Sequence, residues 1–339
     1  MKDIIIAVGG ADAGVTPPMP FIGQRLDGSK PAALGRLMLE IALIRCGFDV
    51  SDRRAPLSDP QELVFQSNRV GASGIVVTSG GAFGSRKSFN DVCGGTVKHA
   101  IGRHGAQSRE LAEDICAKLC NIKHCQTSMC NHEWNGAACP AVVVEMGYLT
   151  NFDEAKLLHD PDYIRNVAEY ATMGICEYFG MPYVPHSPTA YKRMHAQIGM
   201  RGKQVKLIQA ALCANGYTVD IDGVYGKNTD IAVKEYAINN GYTDCDGVTE
   251  AMLQDLLFVT PDYVPPKSKH NRVAYIQSKL ISKLYRSPQN GTADEDTVAA
   301  VNEFLTETEN EHAIDGNGGI SKIAMQLLSA IGGGRPRLF

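Results

Sequence analysis

The C-terminal part of the chain is written twice, and this restricts its fold more than any other feature. Val205, Gln209, Leu212, Gly223, Thr229, Ala232, Val233 and Glu235 return as Val273, Gln277, Leu280, Gly291, Thr297, Ala300, Val301 and Glu303, each 68 positions later. Tyr236 meets Phe304 at that offset, and Asp246-Gly247 meets Asp315-Gly316 one residue further on. Eight identities in one register require two copies of one supersecondary unit. Each copy reads helix, Asp/Asn-Gly loop, helix, Asp-Gly turn, helix. The copies span 197–258 and 270–331. A linker at 259–269 holds Pro265-Pro266, and a second at 181–196 carries three prolines and few core residues.

Residues 1–180 follow another pattern. Short apolar or β-branched runs at Ile4–Val8, Phe48–Val50, Gly74–Thr78 and Ala141–Glu145 alternate with stretches of helical spacing. Pro60 and Pro161 stand at helix starts, and Ser108 is placed to cap the helix bearing Leu111, Ile115 and Leu119. Strands alternating with helices predict an α/β domain, a mostly parallel sheet with helices on both faces. The two small helical modules follow it.

A formal net charge of −4 gives no reason to expect a nucleic-acid partner. No apolar run reaches the length of a membrane span. The N-terminal Met1–Ala7 reads as a first strand rather than a signal peptide, so the expectation is synthesis in the cytoplasm without one. The 10 cysteines, six of them from Cys93 to Cys139, show no repeated spacing, and reduced thiols are expected.

In the first copy the pattern is Val205-x-Leu207-Ile208-Gln209-x-x-Leu212, Gly216-Tyr217, Asp222-Gly223-Val224-Tyr225-Gly226, Thr229 and Ala232-Val233. This resembles the three-helix peptidoglycan-binding domain found beside many wall hydrolases. The resemblance makes Asp222, Gly223, Tyr225, Gly226 and Thr229 the candidate binding residues and peptidoglycan the partner. The same residues also suit a purely structural loop: two glycines for a tight turn, an Asp to bond its amides, a Thr to cap the next helix. The second copy has Asn290-Gly291-Thr292-Ala293-Asp294-Glu295-Asp296 there, losing the tyrosine and the second glycine and gaining three acids, and the structural reading is preferred for it.

The run Val142-Val143-Val144-Glu145-Met146-Gly147-Tyr148-Leu149-Thr150-Asn151 places a carboxylate near the end of a buried strand, where open α/β sheets collect their chemistry. It resembles the last motif of the zinc-dependent N-acetylmuramoyl-L-alanine amidases. Ser108-x-x-Leu111-Ala112, Gly94-Gly95-Thr96-Val97 and Glu154–Leu158 resemble neighbouring segments of that family, over residues 1 to about 180. The resemblance implies a catalytic role for Glu145, acting on a water activated by a zinc ion with two His ligands and one Glu. At the corresponding positions this chain offers Val8, Ser29 and Ser79. Valine binds no metal and serine binds zinc poorly. Glu145 is therefore expected to be vestigial, with no metal and no cofactor.

Cys116, Cys120, His124, Cys125, Cys130 and His132 cluster in sequence and admit a structural zinc site. Cys116 and Cys120, one turn apart beside an apolar stripe, are better explained by packing. Three functions are thus expected in order: a wall-recognising pseudo-amidase acting at the bacterial cell wall or within a phage or phage-tail-like particle; an active endolysin-type amidase, the only reading that requires zinc; a purely structural interaction protein. Partner proteins of such a particle belong to the first.

Overall fold

The computed structural model describes residues 4–11, 14–20, 23–51, 59–82, 84–85, 87–130, 134–186, 196–240, 242, 246–258, 263–269 and 271–329. Among these residues six strands form one sheet: β1 (Ile5–Ala11), β2 (Asp49–Ser51), β3 (Gly74–Gly81), β4 (Gly95–His99), β5 (Cys125–Met129) and β6 (Ala141–Tyr148), in the order β2-β1-β3-β6-β4-β5. Every pairing is parallel except β4 on β6. The four strands expected from sequence are present. β4 and β5 were not expected: their segments, Gly95-Thr-Val-Lys-His99 and Cys125-Gln-Thr-Ser-Met129, lack an apolar run, and pairing alone makes them strands.

Helices α1 (Ser29–Arg45), α3 (Gly105–Leu119) and α5 (Pro161–Phe179) cover one face, packing Leu39, Ile115 and Ile175 against Ile6, Val8, Val76, Val142 and Val144. The other face is covered by α2 (Pro60–Val70) and the segment around Trp134, which meet Ala7, Ile75, Val77 and Ala141. Local chemistry sets the boundaries. Asp59 caps α2 ahead of Pro60, and Gly71 ends it in the left-handed region (φ +67°). Asn151 caps the short α4 (Phe152–Leu158), and Asp160 caps α5 ahead of Pro161. Ser108 is not a cap. It lies inside α3, donates to His104 O (2.8 Å) and accepts from Ala141 N (3.0 Å), which ties α3 to β6.

The first copy contains α6 (Lys203–Ala214), α7 (Lys227–Asn239) and α8 (Glu250–Phe258), and the second α9 (Asn271–Ser282), α10 (Glu295–Glu307), a 3-10 turn (Glu311–Ala313) and α11 (Lys322–Ser329). Their central networks are the same bond for bond. Gln209 Nε2 donates to Asp222 Oδ1, Val224 O and Thr229 Oγ1 (2.8, 3.1, 3.1 Å), and its Oε1 accepts from Gly223 N (2.8 Å). Gln277 repeats this with Asn290 Oδ1, Thr292 O, Thr297 Oγ1 (2.9, 3.0, 2.9 Å) and Gly291 N (2.9 Å). Gly223 and Gly291 both adopt positive φ (+74° and +69°).

Both copies are fastened to the sheet domain. Lys206 Nζ reaches Asp49 Oδ1 (3.1 Å) and Val50 O (2.8 Å). Lys279, 1% exposed, inserts Nζ between Asp160 (2.8 and 2.9 Å) and Asp162 (3.0 Å). Leu284 stands where the first copy has Gly216. It takes a positive φ (+69°) that a leucine adopts only under strain and buries its side chain with Met19, Leu26 and Ala155. Sequence divergence of the second copy thus falls partly on its docking face. The segments 187–195 and 259–262 of the two expected linkers, and the chain beyond Ser329, lie outside the described residues.

Candidate functional site

Glu145 lies in β6 at the last level where β6 and β3 are in simple register, opposite Ser79; beyond it a bulge shifts the pairing so that Gly81 meets Tyr148. The strand runs three residues past Glu145. A side chain at Gly81 would collide with the Glu145 carboxylate (2.9 Å) and the Tyr148 ring (2.8 Å), so glycine is required for Glu145 to lie across the sheet.

The carboxylate is held by a lysine. Lys98 Nζ donates to Glu145 Oε1 at 2.6 Å; the Lys98 side chain is 39% exposed, that of Glu145 7%. Burial works against the charge of Lys98, but the hydrogen bond and charge of Glu145 raise its ammonium above the ordinary lysine value. A second lysine, Lys123, donates to the backbone oxygens of Glu145 (2.9 Å) and Met146 (3.4 Å). Burial pushes its pKa down. Gly95 leaves the space for that ammonium. Glu145 Oε2 is buried without a hydrogen-bond partner among the described residues. Glu154 joins the end of β6 to the residue ahead of β4: Oε2 accepts from Tyr148 N (2.8 Å) and Oε1 from Gly94 N (2.7 Å).

The three expected ligand positions do not surround this carboxylate. Val8 pairs with Val76, three residues below the Ser79 level. Three is odd, so Val8 points to the opposite face, into the core beneath α1. Val8, which the resemblance sets at a ligand position, therefore does not share a face with Glu145. The β1 residue level with Ser79 is Ala11. Ser29 begins α1, and its amide and hydroxyl both donate to Asp27 Oδ1 (2.9 and 2.7 Å). Burial opposes ionisation of Asp27, yet those bonds and the nearby Lys30 keep its carboxyl below the usual range. Ser79 alone is a ladder neighbour of Glu145, and it is buried. Two serines and a lysine-paired glutamate do not fit zinc, which needs thiolate, imidazole or free carboxylate donors. Among the described residues no three His, Cys, Asp or Glu side chains are placed to hold a metal. Asp12 and Ala13 of the first loop lie outside them.

The cysteine cluster divides. The thiols of Cys116, Cys120 and Cys125 meet between α3 and β5, where burial and mutual contact push Cys116 up. Cys130 belongs to the core on the other face, with Trp134 and Cys139. His124 is exposed and His132 is outside the described residues.

Of the five candidate binding residues in the first copy, Tyr225 (1% exposed), Thr229 and Gly223 are buried, while Asp222 is exposed and Gly226 half-buried. Thr229 is not the cap of α7; it lies inside the helix and accepts from Gln209. In the second copy Asp294 is the cap, its carboxylate accepting from Thr297 N (2.9 Å). The three acids there serve the N-terminus of α10, where negative charge is favoured. The lysines 98 and 123 were missed in sequence. Only the antiparallel pairing of β4 on β6, which brings Lys98 level with Val143, places one beside Glu145.

A family model described as "Putative peptidoglycan binding domain" matches residues 201–249. No curated protein matches the chain in sequence. Among solved structures, the chain is similar to the N-acetylmuramoyl-L-alanine amidase AmiC2 of Nostoc punctiforme (21% identity, 52% of this chain and 97% of that one, TM-score 0.44). It is similar also to the catalytic domain of the amidase CwlV from Bacillus (Paenibacillus) polymyxa var. colistinus (20%, 53% and 99%, TM-score 0.44). A third is the N-acetylmuramoyl-L-alanine amidase from Clostridium difficile 630 (15%, 53% and 98%, TM-score 0.42).

Proposed function

We propose that this chain is a wall-recognising pseudo-amidase: a protein that binds peptidoglycan through its helical repeats and carries an amidase-like domain without hydrolytic chemistry. The observation that carries this reading is the Lys98–Glu145 pair. A carboxylate that must take a proton from water needs a free oxygen and an activated water. Here the ammonium of Lys98 occupies one oxygen, and the neighbouring ladder position is a serine. The match of residues 201–249 to a peptidoglycan-binding family supports the wall as target.

One observation favours the second reading, an active amidase. Glu145 Oε2 is a buried acceptor without a partner among the described residues, which is uncommon for a purely structural carboxylate. A single set of measurements separates the two. The full chain, purified without chelator, is assayed for bound zinc, for retention on purified sacculi, and for release of free amines from them. Retention without zinc and without amine release is the expected result. Amine release that is lost in Glu145→Gln would make the chain an enzyme. Failure to be retained would leave only the structural reading.

A further inference from the structure

A groove of about 580 Å³ lies between the two helical copies, a size suited to a small ligand. Residues 215–218 and α7 of the first copy form one wall, and Lys269, the linker residue bridged to Thr292, forms the other with Ala274 and the Asn290-Gly291 turn of the second copy. Neither copy has this groove alone. Its walls are fixed in advance: Arg272 reaches from the second copy to Asp255 of the first (2.9 Å), and each copy is separately fastened to the sheet domain by Lys206 and Lys279. Fixed walls lower the entropy lost on binding.

The polar groups of the groove are of two kinds. Some are spent on the fold: Asn290 and Gly291 serve Gln277. Others face the groove. Glu235 and Lys269 are exposed there, on opposite walls, and neither has an ion-pair partner among the described residues. Asn228 adds an exposed amide, and Ile231, 52% exposed, adds an apolar step. Tyr217 is half-buried, its ring set edge-on against Tyr236 (5.7 Å between centroids) and its hydroxyl bonded to Asn239 (3.1 Å).

We infer that this groove binds the peptide stem of a wall muropeptide rather than its glycan, an inference that rests on the wall-binding reading. A peptide stem carries what the groove answers: backbone amides for Asn228, small apolar side chains for Ile231, a carboxylate for Lys269 and, where the stem holds a diamino acid, an amine for Glu235. A bare glycan offers no amine to the glutamate. The candidate loop at 222–229, by contrast, has its tyrosine and threonine buried.

The test titrates the full chain calorimetrically with a purified disaccharide-tetrapeptide muropeptide whose stem contains a diamino acid, and with chitotetraose. Retention on sacculi is measured in parallel. Glu235→Gln and Lys269→Ala alter exposed side chains, so circular dichroism should show both folded. Muropeptide binding should weaken about tenfold in each, with chitotetraose binding weaker than muropeptide. Unchanged muropeptide affinity in both variants, with sacculus retention intact, overturns the groove and leaves the wall reading standing. Equal binding of chitotetraose overturns the stem assignment. A wild-type chain that neither binds muropeptide nor is retained on sacculi overturns both.

Discussion

Replacing Lys98 by Met removes one charge and keeps most of the stem, so its effect is a direct measure of what holds Glu145. The carboxylate is 7% exposed, its Oε2 already lacks a partner among the described residues, and Oε1 would lose its donor. Breaking a fully buried pair on one side costs about 3–5 kcal/mol because the remaining charge is stranded. The Lys98 side chain is 39% exposed, so water screens this pair, and about 2 kcal/mol is the expected loss. Glu145→Gln should cost less, about 1 kcal/mol, since the amide oxygen still accepts from Lys98 and the half-exposed ammonium can hydrate. The double variant should lose less than the sum of the two, because neither charge is left alone. The single tryptophan, Trp134, is buried on the Glu145 side of the sheet, so its fluorescence in urea reports on this domain separately from the helical copies. If Glu145→Gln and Lys98→Met each stabilise the domain, the pair is a strained constellation of the kind found at working sites, and the structural account of Glu145 is wrong.

The buried Lys279 predicts that Lys279→Met, which takes the ammonium from Asp160 and leaves Asp162 only Arg165 (3.0 Å), loosens the second copy by about 2 kcal/mol; hydrogen exchange across α9 should rise while that of β3 and β6 does not. The matched networks predict that Gln209→Leu and Gln277→Leu each cost about 2–3 kcal/mol in their own copy, read as faster exchange at the Gly223 or the Gly291 amide respectively. Burial holds the imidazoles of His159 and His186 neutral, lowering the pKa of both, that of His186 to about 4. The unfolded chain then takes up protons first, near pH 6.5, so stability present above that pH is lost as pH falls toward about 4. Tm measured between pH 7.5 and 4.5 should fall, and His159→Phe should flatten part of the slope; a Tm that rises on acidification would contradict the burial.

How much was legible in the sequence depended on whether the signal was local. The repeat register was fully legible, because its Gln, Gly and Thr contact one another within about twenty residues and both copies obey one spacing. Strands β1, β3 and β6 were legible as apolar runs, since both of their faces are buried. The strands β4 and β5 were not, because their residues are polar and only the neighbours decide that they extend. For the same reason Lys98 went unseen: 47 positions separate it from Glu145.

Sequence by itself determined the α/β-then-repeat order, the helix starts at Pro60 and Pro161 and the glycine-dependent loops, because each follows from local backbone preference or side-chain chemistry. Tertiary structure alone decided the rest. It set which face Val8 takes, since a strand reverses its side chains at every residue and the ladder register fixes the level. It decided that Glu145 is answered by a lysine. It decided, finally, that two copies fastened to one sheet domain enclose a groove that neither encodes alone, because such a surface exists only once separate elements have been packed together.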